Sequence, residues 1–542
     1  MTADADPSYE GDPVLVFLVL LPSASIWSSG RRAVAGDPRP IQSEFSGTII
    51  KQVNGNKYQA QVLATGDRLR QGTSNARVRP VQGTKDSKIM NGVRLRLGVI
   101  VTGALAWFCT IGTPAFATGA ASVPREIQSL YDRHEYHKAL EELAKLDKEV
   151  SGAPDVRRLK IRSLLKLGNP KDALEEYDKH EGALKQEDQP VLREVALGFI
   201  VVLMKDMREQ MRGAAYTALK ELDADEAVPY FEDGLTDGSG PVRMLAVEGL
   251  SRSDKGRKSE KLRAALEDQA GLVKARVVKA LGKTSDQSVI PLIETATKDE
   301  LAIVRIAAYG ALIRLGREEA WEPLRKGVEA PNPEDRAEAI RTVADLKDQR
   351  GAPFLIDLLT YQQPSVRAAA ARGLGHLERK DARRQIEQLL KDPVPAVRES
   401  AAASLADLGG KESVPALTRA LHDGVLTVRA SVVAALLQLS QPYEDVAATV
   451  RALAQQNDTA ARSAAAFALG KATKANRAEA VEVLANLAGD PLPGPKIVAL
   501  RSLGHIGDRE ILPLLKESLH DENEAVRATA AGALLHIVLL TK

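Results

Sequence analysis

The feature that most constrains this chain is a basic residue that returns every 31 positions along most of its length. Val397-Arg398 and Val428-Arg429 are two instances of the repeated pair. The spacing lengthens to 33 residues before Arg462 and to 34 before Lys496. A fixed period of this size indicates stacked copies of one small unit, which is a solenoid. This basic ladder consists of Arg212, Arg243, Lys274, Arg305, Arg336, Arg367, Arg398, Arg429, Arg462, Lys496 and Arg527.

Residues 396–423 show what is repeated. Val397, Ala401 and Leu405 are spaced by four and lie on one face of a first helix. Gly409-Gly410 supplies the left-handed stop that helix C-termini favour, and the second helix follows in ESVPALTRALHD. Ordering one unit costs on the order of 45 kcal/mol, more than a lone hairpin can recover, so neighbours must supply the core. The sequence therefore predicts an all-α fold, an open α-solenoid of stacked antiparallel helix pairs.

The segment DENEAVRATA, which begins at Asp521, closely resembles the HEAT repeats that were first grouped with phycobilisome lyases. The resemblance covers about residues 190–542 and implies about eleven repeats over residues 186–542. It specifies a fold and leaves the function open, because HEAT proteins include both enzymes and scaffolds.

The basic ladder has two interpretations, a stripe that grips phosphates or a structural device. Its fixed place in every repeat favours the structural one, in which each cation reaches the capping aspartate of an adjacent link and keeps the repeats in register. The longer repeats and the segment GDPLPGPK predict a local kink near residues 489–496.

Residues 118–185 follow a different period. The motifs YHKALEE and NPKDALEE place Ala139 and Ala173 34 residues apart. The stretch LKIRSLLKLGNPKDALEEYDKH resembles a tetratricopeptide hairpin, although the early tryptophan of that family is absent. A short tetratricopeptide-like cap in front of the HEAT-like repeats is the expectation.

Residues 90–117 have the parts of a secretory signal peptide. Arg94 and Arg96 precede an apolar run of 14 residues, and Ala115-Phe116-Ala117 matches the A-x-A cleavage pattern. The alternative is an uncleaved membrane anchor. Residues 1–89 are then not part of the mature protein, either because translation starts at Met90 or for another reason. A small β-rich module in residues 1–89 is the competing interpretation.

Composition limits the function classes. Residues 1–117 hold 13 of the 74 Lys and Arg and 8 of the 72 Asp and Glu, so the remaining chain has 61 against 64, a net charge of −3. This balance argues against a nucleic-acid partner. The single cysteine, Cys109, falls within the signal segment. The mature chain is therefore suited to an oxidising compartment without disulfides or metal thiolates, and we expect a periplasmic or secreted protein.

No residue pattern indicates catalysis, a metal or a cofactor. His134 and His137 in RHEYH miss the H-E-x-x-H zinc pattern by one residue and are interpreted as an exposed helix face. Deoxyhypusine hydroxylase carries repeated His-Glu pairs, whereas in the solenoid here no histidine is followed by glutamate. HEAT-like DNA glycosylases use a basic, aromatic-lined cleft, whereas this chain is nearly neutral and Trp321 is its only tryptophan beyond the signal segment. Phycobilin lyases are the nearest by repeat style, but they act on cytosolic antenna proteins.

Five aromatic residues belong to or follow second helices, which usually line the concave face of such a solenoid. They are candidate partner contacts, since aromatic side chains dominate interface hot spots, and the alternative is that they fill gaps between helix layers. The five are Tyr230, Phe231, Trp321, Phe354 and Tyr361.

The last repeat stops after its first helix, ALLHIVLLTK. That helix either tucks against the preceding pair or exposes an apolar end for a partner or a second copy. Together these patterns predict an exported, non-enzymatic scaffold that holds a protein or peptide on its curved surface. The alternative is a lyase-like or accessory protein that binds a small ligand or chromophore in its concave face.

Overall fold

A computed structural model describes residues 122–540, and this part of the chain has 28 α-helices, short 3₁₀ turns and no strand. The predicted signal segment and residues 1–89 lie outside the described residues. The helices are α1 Arg125–Asp132, α2 Tyr136–Ala144, α3 Lys148–Ser151, α4 Pro154–Lys166, α5 Pro170–Leu184, α6 Gln189–Leu203, α7 Glu209–Leu219, α8 Val228–Gly234, α9 Gly240–Leu250, α10 Asp254–Arg257, α11 Glu260–Ala264, α12 Gly271–Leu281, α13 Ile290–Ala296, α14 Ala302–Arg314, α15 Trp321–Gly327, α16 Pro333–Asp345, α17 Ala352–Leu358, α18 Pro364–His376, α19 Arg383–Leu389, α20 Pro395–Leu408, α21 Val414–Ala420, α22 Leu426–Gln438, α23 Glu444–Ala454, α24 Thr459–Leu469, α25 Arg477–Ala488, α26 Pro493–Ile506, α27 Leu512–Ser518 and α28 Glu524–Leu540.

The front of the described chain is a pair of small helix hairpins. Helices α1, α2 and α4 share a core of their own around Ile127, Leu143 and Val156. The α4–α5 hairpin turns at Gly168, which has a φ of +77°, a conformation that glycine adopts without strain. The hairpin is present where it was expected, and its assignment as tetratricopeptide-like stays a prediction.

From α7 onward the chain alternates longer first helices with second helices that are mostly shorter. Consecutive first helices pack directly on one another, and each second helix packs on the first helix that follows it. Within residues 122–540, no two consecutive second helices share a comparable interface. The first helices therefore form the inner layer of a curved array and the second helices its outer layer. The first helices are α7, α9, α12, α14, α16, α18, α20, α22, α24, α26 and α28.

Small residues allow neighbouring helices of the inner layer to approach each other closely. A Cβ added to Gly504 in α26 would lie 2.7 Å from the Cβ of Ala533 in α28, and one added to Gly282 would lie 2.5 Å from that of Ala311. In α9 every residue from Val242 to Leu250 is buried. Alanine and glycine thus bring the inner helices close together, while the second helices splay apart on the outside.

The array closes on itself, so the expectation of an open row is wrong. Helix α28 packs on α26 before it and also on α6 and α7, at the start of the array. Across this seam, Lys516 Nζ lies 2.6 Å from Glu181 Oε1 and His520 Nε2 lies 3.2 Å from Asp178 Oδ2. The eleven first helices of the described chain therefore form a ring.

Helix α28 packs against a helix at the other end of the array. Helix α6 precedes α7 and packs on both α7 and α28, so it covers part of the apolar surface of α28. Leu534, Leu535 and Ile537 of α28 are fully buried as a result. Burying each such side chain contributes about 1.5–3 kcal/mol, which favours closure.

The basic ladder joins consecutive links. Arg398 donates from Nε and Nη2 to the carboxylate of Asp423, at 2.7 and 2.9 Å, and from Nη1 to the carbonyl of Asp392 at 2.7 Å. Asp392 in turn accepts from Arg367 at 2.7 Å. Each such cation therefore ties the link before its repeat to the link after it.

Where the aspartate is missing, an aromatic ring can take its place. Position 361, where the partner of Arg336 would lie, is a tyrosine, and the guanidinium of Arg336 lies 4.3 Å from the centre of the Tyr361 ring. At the seam, the guanidinium of Arg527 lies 5.9 Å from the ring centre of Phe199 in α6. A ladder contact thus crosses the junction between the two ends of the array.

The kink near residues 489–496 stays a prediction, and the longer repeats differ from the others in their outer helices. The extra residues lengthen the second helices, since α23 has 11 residues and α25 has 12 where most have seven. The first helices α24, α26 and α28 pack as elsewhere. Arg462 still reaches Asp490, at 2.6 Å. The outer layer absorbs the insertions because its helices do not touch one another closely.

A ladder pair with its carboxylate should stabilise more than a ladder cation without one. The side chains of Arg398 and Asp423 are 13% and 11% exposed, between a surface and a buried pair. We expect Arg398→Met to lower the free energy of unfolding by about 2 kcal/mol in urea titrations. The matched control is Arg305→Met, because Arg305 bonds the carbonyls of Asp299 and Glu300 and position 330 is alanine. An equal loss in both variants would contradict the role given to the carboxylate.

Closure of the ring should depend on Gly532. A Cβ there would lie 3.2 Å from the Cα, Cβ and carbonyl oxygen of Ala218 across the seam. Leucine at 532 should therefore push α28 off α7 and increase the radius of gyration measured by small-angle X-ray scattering.

The control for this variant is Gly375→Leu, where a Cβ would lie 3.0 Å from the Cα of Ser404, so that it disturbs α18 against α20 within the continuous array. It should lower the melting temperature without expanding the molecule, because the seam itself is unaltered. Expansion in the control, or none in Gly532→Leu, would show that the seam does not hold the ring closed.

Candidate functional site

Two clefts on the inner face of the described ring are lined mostly from the same positions of the first helices. These positions lie two, five, six and nine residues after the ladder cation, and we call them the inner-face positions. One cleft lies over α14 and the other at the seam. Shared positions mean that one helix face, repeated around the ring, forms the inner surface.

The α14 cleft exists because α14 presents small residues there. Ala307, Gly310 and Ala311 form its floor, between polar side chains of α9, α12 and α16. Lys279 Nζ from α12 reaches across to Glu338 Oε1 of α16, at 2.7 Å. The cleft is partly open to solvent. No aromatic side chain is among the residues that line it.

Charged groups surround this cleft at unusual depth. Burial lowers the pKa of Arg276 to about 10, although the nearby carboxylates act to raise it. Burial alone would raise the pKa of Glu338, but Lys279, Arg341 and Arg276 lower it to about 2. Both groups are charged at neutral pH. A charge this deep in a protein is maintained only by the charges around it.

A second buried pair extends the network toward the seam. Lys220 Nζ and Glu248 Oε1 are 3.1 Å apart, with side chains 5% and 1% exposed. Glu248 also lines the α14 cleft. The inner surface from α7 to α16 is therefore one continuous set of charged groups.

Thr342 is the unusual polar group of this cleft. Its side chain is buried and lines the cleft, and its Oγ1 has no hydrogen-bond partner. A buried hydroxyl without an acceptor costs about 1–3 kcal/mol.

The seam cleft contains a carboxylate between two imidazoles. Glu221, just after α7, lies 3.3 Å from His505 Nε2 of α26 and 3.0 Å from His536 Nδ1 of α28. Burial alone would raise the pKa of Glu221, but the hydrogen bonds from both histidines hold it well below its usual value. Burial lowers the pKa of His505, against the raising effect of Glu221. The cluster joins the two ends of the array.

Among residues 122–540, no group of three or more His, Cys, Asp or Glu side chains is arranged to hold a metal ion. In that same stretch, no helix is both long enough and apolar enough to cross a bilayer.

The five aromatic residues lie in or beside the outer layer, so the expectation that second helices line the concave face is wrong for this chain. Phe231 is fully buried and packs against Gly249. Guanidinium groups lie 4.3 Å from the ring centre of Trp321 and 5.6 Å from that of Phe354. Tyr361 is the ladder partner of Arg336, and Tyr230 is partly buried against the core. Their contact with a partner stays a prediction.

Sequence reasoning missed the inner-face residues. The signal that could have found them is variation: at these positions the residue type changes from one repeat to the next. At nine residues after the ladder cation, for example, the chain has Glu221, Arg252, Lys283, Arg314, Asp345, His376, Asp407, Gln438, Lys471, His505 and His536. Ala, Leu and Val at the buried positions vary much less, because packing fixes them.

Acid should weaken the seam. The pKa of His505 is lower in the folded chain than its ordinary value of 6.5, so the stabilisation from neutral His505 is lost as the pH falls below 6.5. The pKa of Glu221 is also lowered, so the stabilisation from its carboxylate is lost as the pH falls below its ordinary pKa of 4.5. Both effects have the same sign. We therefore expect the radius of gyration to increase between pH 7.5 and pH 4, with onset near 6.5.

His505→Gln tests the upper part of this transition. Glutamine can still donate to Glu221 but does not titrate, so the change between pH 7.5 and pH 5.5 should disappear. His422→Gln is the control, because His422 is exposed at the end of an outer helix. A transition that is the same in both variants would exclude His505 as its cause.

Comparisons with known proteins agree with the repeat architecture. A family model described as HEAT repeats matches residues 196–281, 259–344, 321–381, 352–437 and 481–537. No curated protein matches the chain in sequence.

Several solved helical-repeat structures align with the chain. In the CpcE–CpcF complex of phycocyanin lyase from Nostoc sp. PCC7120, identity is 22% over 45% of this chain and 94% of that one, with a TM-score of 0.31. Human deoxyhypusine hydroxylase is 20% identical over 46% of this chain and 98% of its own, with a TM-score of 0.27. Kap121p bound to Nup53p is 14% identical over 76% of this chain and 56% of its own, with a TM-score of 0.32. TM-scores this low do not support an inference about the function of this chain.

Proposed function

This chain belongs to the HEAT-repeat family, and from that premise we propose that it is an exported, non-enzymatic scaffold that holds a protein or peptide partner on the inner face of its ring. A stacked helical array offers a long surface with many independently variable positions, which suits protein interaction. The observation that carries the proposal is the distribution of charge over the inner face.

The inner face is positive although the chain beyond residue 117 is slightly acidic. At the positions two, five and nine residues after the ladder cations, nine residues are Lys or Arg and five are Asp or Glu. The stretch from α9 to α16 holds the largest share of these cations. An acidic segment of a partner complements such a surface, and the attraction also accelerates association.

Variation between repeats would give this surface its specificity. Each repeat contributes different side chains at equivalent places, such as Arg314 on one helix and Asp345 on the next. A partner segment that follows the ring therefore meets a defined order of charges. Correct pairing is favoured and like charges oppose a wrong register.

Export rests on residues 90–117 and on the single cysteine. A positive front, a short apolar run and an A-x-A site are the components of a cleavable signal. A mature chain without thiols needs no reducing compartment. N-terminal sequencing of the native protein tests this part, with a mature end near Thr118 as the expected result.

The second candidate is a lyase-like or accessory protein that binds a small ligand in its concave face. The partly enclosed α14 cleft is the observation that favours it. The absence of aromatic side chains among the residues that line this cleft makes a chromophore or another flat ring a poor fit.

Reversing charge on the inner face should abolish partner capture. We expect the wild-type chain to retain a protein from an envelope extract at low salt and to release it as salt rises. The double variant Lys283→Glu, Arg314→Glu should retain little of it.

The matched control is Arg384→Glu, Lys391→Glu, which makes the same charge change at exposed positions in and after outer helix α19. Retention equal to wild type is expected. Loss of capture in this control, with none in the inner-face variant, would contradict the proposal.

A further inference from the structure

We propose that the ring is a clasp, in which an acidic segment of the partner lies in the space enclosed by the first helices and enters or leaves it through the seam. The seam is the junction of α28 with α6 and α7. The inference rests on the proposed function and adds the route by which the segment reaches the inner face. It is carried by the width of the enclosed space, by the spread of charge around it and by the contacts at the seam.

The enclosed space is wide enough for one chain segment and too narrow for a folded domain. Eleven first helices form the ring, and packed helices lie about 8–10 Å apart, so the ring measures about 30 Å across between helix axes. Half a helix width on each side, about 5–6 Å, leaves about 20 Å. An extended chain or a single helix passes through such a space. A domain of about 100 residues has a radius of gyration of about 13 Å and does not.

The cations of the inner face come from seven helices that are spread around the ring. No helix of residues 122–540 packs inside the ring, so these side chains border the enclosed space. A segment bound to one outer surface would meet the cations of one or two helices, whereas a segment inside the ring is surrounded by all of them. The cations are Arg252 of the α9 repeat, Arg276, Lys279 and Lys283 of the α12 repeat, and Arg314, Arg341, Arg372, Lys471 and Arg501.

A partner segment that connects two folded domains has no free end to pass through either mouth of the ring. For such a partner the ring must open at a junction between first helices. Ten of the eleven junctions are spanned by the chain itself, which runs through the outer layer from one first helix to the next. At the seam no link of the chain joins α28 to α7. Separation there breaks side-chain contacts only.

Two of the ion pairs that cross the seam lie at the protein surface. Arg208 pairs with Glu524, with side chains 55% and 36% exposed, and the pair of His520 with Asp178 is similarly open to solvent. Exposed pairs of this kind contribute little to stability. The apolar side chains of α28 keep the seam closed at rest, and a minor open state is enough for entry. Once closed around a segment, the ring releases it only as fast as the seam reopens.

A covalent cross-link across the seam tests the clasp. The variant Arg208→Cys, Glu524→Cys also carries Cys109→Ser, which removes the single native cysteine, so that a short bismaleimide joins α28 to the start of α7. Two fluorescent ligands are titrated by anisotropy into the full chain at low salt. One is a peptide of about 20 alternating Glu and Gly residues, about 66 Å when extended and so longer than a first helix of about 21 Å. The other is the same segment between two folded domains of about 100 residues each.

Before cross-linking, both ligands should bind and high salt should release both. Cross-linking before the ligand is added should leave binding of the free peptide within about twofold and weaken binding of the domain-flanked segment by more than about 100-fold, because only the peptide has an end that passes through a mouth. Cross-linking after the ligand is added should trap the domain-flanked segment, so that high salt no longer releases it.

The matched control is Thr459→Cys, Leu492→Cys, again with Cys109→Ser. Thr459 and Leu492 occupy the places of Glu524 and Arg208 in the junction between α24 and α26, which the chain itself spans. The same cross-linker should leave the affinity for both ligands within about twofold of the unlinked protein, because the seam can still open.

The outcomes separate the clasp from the scaffold. Undiminished binding of the domain-flanked segment by the seam-linked ring overturns the clasp, and the inner-face scaffold then stands. Loss of both ligands after the seam is linked also overturns the clasp, since the free peptide should still enter through a mouth. Failure of both ligands to bind before cross-linking overturns the acidic partner, and with it the proposed function.

Discussion

The close approach of consecutive first helices is the contact on which the rest of this structure depends. Glycine and alanine at the facing positions let backbones approach to distances at which an added Cβ would clash. The second helices have no such contact with one another in the described chain, so each repeat is narrower on the inside than on the outside. Curvature accumulates from repeat to repeat until α28 meets α6 and α7.

Ring closure covers the helices at both ends of the array. In an open solenoid the last repeat has an uncovered apolar face and is a point of weakness or of association. Here α6 covers it, and the Arg527 guanidinium over the Phe199 ring repeats at the seam what Arg336 and Tyr361 do within the array. The seam differs from the other junctions because no link of the chain joins its two sides. It is consequently the place where pH and substitution should act on shape.

The ring also separates structural from functional charge. The ladder cations face the links and find carboxylates, carbonyls or aromatic rings within the chain. The inner-face cations lie on another side of the same helices, around a carboxylate set that they outnumber. A scaffold that binds an acidic segment needs both sets. The first keeps the repeats in register, and the second presents a fixed pattern of charge that requires little rearrangement on binding.

Period, helix pairing and the basic ladder could be predicted from the sequence because each depends on residues close together in the chain. Val397, Ala401 and Leu405 identify a helix face, and the 31-residue spacing of Arg398 and Arg429 shows that the unit repeats. The inner and outer layers could not be assigned in this way, since both helices of a repeat are amphipathic. The aromatic residues were therefore placed on the wrong face, and the α14 cleft was not found.

Closure was decided by tertiary structure alone. Curvature is a small angle per repeat, set by how closely Gly282 meets Ala311 and by equivalent contacts, and no local pattern encodes its sum over eleven repeats. The pairing of Glu221 with His505 and His536 joins residues about 300 positions apart, and it exists only if that sum is a full turn. The sequence by itself determined the unit and its repetition. The packing of the inner helices decided that the repeats form a ring, because small differences in helix separation add up along the whole array.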